Sequence, residues 1–336
     1  MFKVGVIGCG YWGPNLIRNF IQLKKSDVIC VADLDEARLA HMKRLYHTIE
    51  TTKDYKEIIA DPEIDIVTIA TPVHTHYKLA WEALSAGKHV FVEKPIAASA
   101  DEANALIALS EKQQRKLMVG HTFLYTEAVR KMKEIIDSGE LGELYYISSQ
   151  RLNLGLFQQD INVIWDLAPH DISIILYLLD QEPQMVTAIG ASHINPAVED
   201  VAVLTLQFAG SLLGFIQTSW LDPDKIRRMT VVGSKKMMVY DDVQPTEKIR
   251  IYDKSVEKPM HYDTYTEFHY SYKYGDIVIP KIGGSEPLRT ELSHFIECIE
   301  NNEKPLSDGE SGLHVVKILE AAQKSLDNGN VGVALS

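Results

Sequence analysis

The chain has 336 residues, 46% hydrophobic and 24% charged, the balance of a soluble globular protein too long for one ordinary core. Its formal net charge of −12 argues against a nucleic-acid backbone as a general partner, although local basic residues can still make a pocket for a small anion. Cys9, Cys30 and Cys298 lack metal or redox spacing and fit a reducing cytoplasm; Met1-Phe2-Lys3-Val4-Gly5 enters a strand with no room for a signal peptide, and no apolar run is long enough to span a bilayer.

Phe2 to Ile7 reads as an apolar strand, followed by Gly8-Cys9-Gly10-Tyr11-Trp12-Gly13 and an amphipathic helix carrying Leu16, Ile17, Phe20 and Ile21. G-x-G-x-x-G between a strand and a helix is a dinucleotide-binding pattern. Gly8 permits the tight turn, Gly10 lets a pyrophosphate approach the backbone, and Gly13 lets the helix close on the strand. Tyr11 and Trp12 belong to the same turn, whose N–H groups and helix dipole favour a diphosphate. Alone, such a pattern is often only a turn. The second strand, Asp27 to Ala32, ends in Asp33, 25 residues after Gly8. A carboxylate there can accept the ribose hydroxyls and repel a 2′-phosphate, so NAD is expected over NADP, by a margin that Arg38 narrows if it turns inward. The competing role for Asp33 is N-cap of a helix starting near Glu36.

A helix over Leu39–Tyr46, a strand near His47–Ile49 and a helix over Tyr55–Ala60 come next. The strand Asp65–Ala70 ends in Thr71-Pro72-Val73-His74-Thr75-His76, a loop expected beside the cofactor's pyrophosphate or nicotinamide ribose. His74 and His76 have no third ligand nearby for zinc, so no metal is expected, and they are read as caps of a helix from Tyr77 to Ala86. A buried strand, Val90–Val92, then stops at Glu93-Lys94-Pro95. Ligands sit at the carboxyl ends of such strands, which puts Lys94 where a proton-transfer group is useful, and Pro95 keeps it out of a helix. A solvated loop lysine is the competing reading. The helix Ala103–Glu111 and strand Leu117–Gly120 complete six strands alternating with helices. Residues 1–122 are thus expected to form a doubly wound parallel sheet, a Rossmann domain.

Residues 123–336 change character. After a helix over Val129–Ile136, strands are expected at Leu144–Ser149, Val186–Ile189, Val201–Phe208, Leu212–Thr218, Met229–Val232, Met237–Tyr240 and Ile249–Tyr252. Their alternation predicts an open, mostly antiparallel sheet with helices on one face and the other face available for oligomerisation. The whole is α/β plus α+β. Within this domain Asp166 and His170 are four residues apart in Ile164-Trp165-Asp166-Leu167-Ala168-Pro169-His170-Asp171. Pro169 predicts a helix starting near it, with Asp166 in the preceding turn. An acid beside a histidine can fix its tautomer and make it a proton acceptor; a buried histidine and a helix cap are the plain alternative. Arg151 and Asn153 could bind substrate oxygens or phosphate, or Arg151 could be solvated. Lys225, Arg227 and Arg228 before a strand, and Lys235 and Lys236 in a turn after Gly233, are further anion candidates for which the solvated-turn reading is the stronger, and Tyr265–Tyr274 reads as a loop or partner-facing surface. Helices are expected at Leu288–Ile299 and again to Leu326.

The G-x-G-x-x-G turn, Ala70-Thr71-Pro72-Val73-His74-Thr75-His76 and Ala86-Gly87-Lys88-His89-Val90-Phe91-Val92-Glu93-Lys94-Pro95 together resemble the glucose–fructose oxidoreductase / inositol dehydrogenase / MocA family over nearly the whole chain. The resemblance implies Lys94 near the nicotinamide and the reacting hydroxyl, Glu93 as the neighbour orienting the loop, and Asp166-x-x-x-His170 completing the active site. It implies hydride transfer at a secondary alcohol of a sugar, with His170 or Lys94 as base, and a homodimer or homotetramer. The chain is also similar to family members that act as nucleotide-sugar 3-dehydrogenases on UDP-N-acetylglucosamine or its uronic acid. A free-sugar or inositol dehydrogenase and a catalytically silent NAD-binding regulator are the alternatives.

Overall fold

Six short apolar segments pair in parallel in the first of two units, which comprises Met1–Thr126 and Ser285–Glu320. The computed structural model describes residues 1–159, 161–257 and 270–335. The strands are β1 (Phe2–Ile7), β2 (Ser26–Ala32), β3 (Glu50–Thr52), β4 (Ile66–Ile69), β5 (His89–Glu93) and β6 (Leu117–Gly120), in the order β3-β2-β1-β4-β5-β6. That order places the β1/β4 switch point beside the glycine-rich turn. Val4, Val6, Ile66, Val67, Val90, Phe91 and Val92 are buried, as strands covered on both faces require. Helices α1 (Gly13–Gln22), α2 (Glu36–Leu45), α3 (Tyr55–Ala60), α4 (Val73–Ser85) and α5 (Ala100–Lys112) make the crossovers.

The third strand lies at Glu50–Thr52, not at His47–Ile49. Ile49 is 1% exposed and donates its N–H to the Tyr46 carbonyl, so its apolar character marks a core anchor in a turn rather than a strand residue.

The second unit comprises Glu127–Gly284 and Ala321–Ser336. It opens with helix α6 (Glu127–Asp137) and continues through β7 (Leu144–Leu152), α7 (Val163–Leu179), β8 (Met185–Ala191), β9 (Val201–Gln207), β10 (Leu213–Ser219), β11 (Ile226–Gly233), β12 (Met237–Asp241), β13 (Ile249–Glu257) and β14 (Ser271–Val278). A short β15 (Val333–Ala334) completes a nine-stranded sheet ordered β14-β13-β12-β11-β7-β10-β9-β8-β15. Every pairing is antiparallel except β7 with β10. Helix α7 packs on β7, β9 and β10. The expected aromatic stretch Tyr265–Tyr274 is described only from Tyr270 on, where it forms the exposed strand β14; the rest lies outside the described residues.

The chain re-enters the first unit through α8 (Pro287–Asn301) and the first part of α9 (Gly309–Asp327). Phe295 meets Phe91 with ring centroids 6.0 Å apart, and Arg18 and Asn19 of α1 hydrogen-bond Glu286. The nucleotide-type unit is therefore discontinuous in sequence, which a single boundary near residue 122 does not describe. No helix among the described residues is long and apolar enough to cross a membrane.

Candidate active site

The turn between β1 and α1 has the geometry a diphosphate needs. Gly8 has φ +101°, and a Cβ there would lie 2.5 Å from the Ala70 carbonyl oxygen. A Cβ on Gly13 would lie 2.1 Å from the Gly8 carbonyl oxygen, so only glycine lets α1 start this close to β1. Above Gly10 the space is open, the nearest atom to an added Cβ being Arg38 Nη1 at 3.6 Å. Asp33 sits at the carboxyl end of β2 and accepts the Cys9 N–H at 2.6 Å and the Asp35 N–H at 2.9 Å. Asp35, not Asp33, caps α2, accepting from Ala37 and Arg38. Arg38 turns towards Asp33, its Nη1 3.7 Å from Oδ2. Tyr11 is exposed at the turn's tip, and Trp12 precedes α1. The open space over Gly10, with a carboxylate held at its side, fits a dinucleotide: Gly8, Gly10 and Gly13 would hold the diphosphate and Asp33 the adenosine ribose.

The next loops at this edge differ from expectation. Helix α4 begins at Val73, so His74 and His76 lie inside its first turns and make no side-chain cap. His76 is 1% exposed and joins two loops, with Nδ1 2.7 Å from the Pro95 carbonyl oxygen and Nε2 2.7 Å from that of Thr71. Both ring nitrogens are thereby engaged, which removes it as a zinc ligand; burial holds its pKa below the usual histidine range. Thr71 shares a 2.6 Å hydroxyl contact with Thr75. Beneath the strands, Lys88 is buried and donates to the carbonyls of Asp61 and Ile64, an anchor for the turn into β5.

Lys94 follows β5 at the carboxyl edge shared with Gly8, and its peptide bond to Pro95 is cis. Its backbone N–H donates to Glu93 Oε2 at 3.3 Å. Burial pushes the Glu93 carboxyl up to about 7, an effect that the Lys94 charge and the Trp12 indole offset in part. His121, directly after β6, is 1% exposed and is held down to about 3, first by burial and then by the Lys94 charge.

In the second unit, α7 starts at Val163, earlier than Pro169 suggested. Asn162 is its N-cap, accepting the Trp165 N–H at 3.2 Å, and Pro169 sits inside the helix. Asp166 is therefore a first-turn helical residue, one turn before His170 and on the same face. Its Oδ2 accepts the Trp220 indole N–H at 3.0 Å. Trp220 was absent from the sequence reading; its signal is a tryptophan just past a strand end, whose N–H needs an acceptor when the ring is buried. It is 1% exposed, lies against Gly155 and meets Phe157 with ring centroids 5.5 Å apart.

Arg151 is not solvated. It is buried within β7 and paired with Asp171, Nε to Oδ2 at 2.6 Å and Nη2 to Oδ1 at 3.2 Å, while Ser149 adds a 2.7 Å bond to Oδ1. That geometry ties β7 to α7 and gives Arg151 a structural task in place of the substrate contact expected of it. Asn153, just beyond β7, donates its N–H to the Ser219 carbonyl and keeps part of its surface. Arg227 and Arg228 lie within β11, and Lys236 pairs with Glu140 at 2.8 Å. Lys94 thus belongs to one unit and Asp166 and His170 to the other. No group of three or more potential metal ligands occurs among the described residues.

Comparison with known proteins agrees with this architecture. Residues 2–121 match an "Oxidoreductase family, NAD-binding Rossmann fold", and residues 129–239 match a "GFO/IDH/MocA C-terminal domain". The chain is 25% identical over 336 residues to myo-inositol 2-dehydrogenase of Thermotoga maritima, covering 97% of this chain and 96% of that protein. It is 27% identical to the uncharacterized oxidoreductase YrbE of Bacillus subtilis, covering 96% and 93%. Among solved structures, UDP-N-acetylglucosamine 3-dehydrogenase GnnA of Acidithiobacillus ferrooxidans has the same fold, with a TM-score of 0.79, 23% identity and 97% of each chain covered. With both halves matched in order around a glycine-rich turn and a lysine-bearing strand end, this chain belongs to the glucose–fructose oxidoreductase / inositol dehydrogenase / MocA family of NAD-binding oxidoreductases.

Proposed function

We propose that the protein oxidises, reversibly, a secondary hydroxyl of a nucleotide sugar, C3 of a UDP-N-acetylglucosamine-type substrate. The observation that carries the dehydrogenase reading is the position of Lys94 at the carboxyl end of β5, on the same sheet edge as the dinucleotide turn. The nicotinamide supplies the acceptor for the hydride leaving the alcohol carbon. Lys94 polarises the oxygen or relays its proton, His170 takes the hydroxyl proton, and Asp166, fixed by Trp220, orients that histidine. Thr71, Pro72, His74 and Glu93 line the cofactor side, and Asn153 serves the substrate side. Asp33 favours NAD over NADP.

An inositol or free-sugar substrate is the second reading, favoured by the names of relatives: myo-inositol 2-dehydrogenase and scyllo-inositol 2-dehydrogenase (NAD(+)). The test is NADH formation with UDP-sugars, free sugars and inositols in parallel. Turnover restricted to inositols moves the assignment to the second reading, and no turnover with any polyol leaves a silent NAD-binding regulator. We also place the enzyme in the cytoplasm, as a homo-oligomer assembled through the exposed face of the second sheet at β14, carrying Tyr272, Tyr274 and Ile277. Sedimentation as a monomer at micromolar concentration rejects that assembly.

A further inference from the structure

Beside Lys94 lies a group of buried polar atoms that hydride transfer does not call for. Glu93 and Gly120 are paired in register across β5 and β6, and the Glu93 carboxyl lies over the Gly120 Cα, where an added Cβ would meet its oxygens at 2.9 and 3.0 Å. Glu93 is half-buried as a residue, but its Oε1 is buried and has no hydrogen-bond partner. His121 follows Gly120, and neither of its buried ring nitrogens has a partner. Glu291 reaches the group from α8 and is 0% exposed. Its Oε2 accepts the Thr122 hydroxyl at 2.6 Å, and its Oε1 has no partner.

Leaving a buried polar group unsatisfied costs about 1–3 kcal/mol. Four such atoms together are an expensive arrangement for a structural core. Two carboxyls buried near one another also cannot both ionise cheaply. They differ in what surrounds them. Glu93 is next to Lys94, whose charge favours its anion. Glu291 has a single hydroxyl donor and the charge of Glu93 against it, so burial and that repulsion both hold its proton on. His121 stays neutral and supplies no competing cation, while burial lowers the pKa of His76 on α4 against the pull of the Pro95 and Thr71 carbonyls.

We infer that Glu93 and Glu291 form a buried carboxyl pair sharing one negative charge, in which Glu291 keeps its proton while Glu93 exchanges one and acts as the positioning residue for Lys94. The part concerning Lys94 rests on the dehydrogenase reading; the charge sharing does not. As the medium is acidified Glu93 takes up a proton and Lys94 loses the anion beside it. Turnover therefore falls on the acid side of neutrality. Glu93 is raised to about 7, so the change is centred there.

The test is pH-difference infrared spectroscopy of the full chain in the carboxylic-acid carbonyl region, with and without NAD, together with the pH dependence of kcat. In the wild-type chain one buried acid band should disappear as pH rises through about 7 and a second should persist. Glu93→Gln should remove the first and Glu291→Gln, which keeps an acceptor for Thr122, the second. Glu93→Gln should also remove the part of the acid limb centred near 7, along which wild-type kcat falls by up to about tenfold per pH unit. The wild-type titration needs no variant to fold. Absence of both bands, removal of the bands in the opposite assignment, or an unchanged acid limb in Glu93→Gln overturns the inference. If the bands behave as stated but no polyol is oxidised, the dehydrogenase reading fails and the carboxyl pair stands.

Discussion

Replacing Arg151 tests whether the second unit depends on a buried charge pair. Asp171 receives two bonds from the guanidinium, at 2.6 and 3.2 Å, and one from Ser149 at 2.7 Å, with both side chains of the pair 5% exposed. Arg151→Met keeps the apolar stem but leaves the carboxylate with mainly a hydroxyl donor in a site shielded from water. Breaking such a pair from one side costs about 3–5 kcal/mol, because a charge remains without its partner. For a unit of this size, each kcal/mol lowers Tm by roughly 2–4 °C, so a fall of roughly 6–20 °C is expected. Arg151→Met/Asp171→Leu removes both charges and should recover to within about 1 kcal/mol of wild type. Urea and thermal unfolding followed by tryptophan fluorescence give all four corners of the cycle. A single-variant cost below about 1 kcal/mol, or a double variant as unstable as the sum of its singles, would show that the pair does not clamp β7 to α7.

Other consequences are sharper in activity than in stability. Gly13→Ala puts a methyl 2.1 Å from the Gly8 carbonyl oxygen and should abolish NAD binding, measured by quenching of intrinsic fluorescence; retained affinity would mean that the turn is not the diphosphate site. Lys94→Ala should lower kcat by about 10²–10⁴-fold while leaving NAD affinity within a few-fold, and unchanged turnover rejects its role. Asp33→Ser removes the carboxylate 3.7 Å from Arg38 Nη1 and leaves Arg38 paired with Asp35, at 3.5 Å. The ratio of kcat/KM with NADP to that with NAD should then rise by about tenfold or more; no change would place the 2′ position elsewhere.

Patterns that are local in the chain were readable in advance. Phe2–Ile7, Tyr55–Ala60 and Leu117–Gly120 occur as expected, because continuous apolar runs and short amphipathic turns carry their own signal. Where two local signals compete, one wins for reasons outside the segment. Pro169 suggested a helix start, but Asn162 offers a cap seven residues earlier and α7 runs through the proline. Likewise Asp35 takes the cap of α2 and leaves Asp33 to the glycine turn. Tertiary partners were not legible. The staple made by His76, the Trp220–Asp166 bond and the approach of Glu291 to Thr122 join residues 19, 54 and 169 positions apart when counted from His76 to Pro95, Trp220 to Asp166 and Glu291 to Thr122. Nothing in composition or period marks such partners.

The return of α8 to the first unit has a bearing on how the polypeptide is made. Phe295 and Leu292 are buried, and the Phe295 ring meets the Phe91 ring of β5, so these parts of one hydrophobic interior are some two hundred residues apart along the message. A ribosome must release eight of the nine strands of the other sheet before the nucleotide-type half can close over its own centre. That half should consequently close only late in synthesis, although its first strand is translated first. A gene fragment ending near codon 126 would encode a sheet lacking part of its cover, whereas a permuted gene joining codons 285–320 to the start of the message restores that cover without the other half.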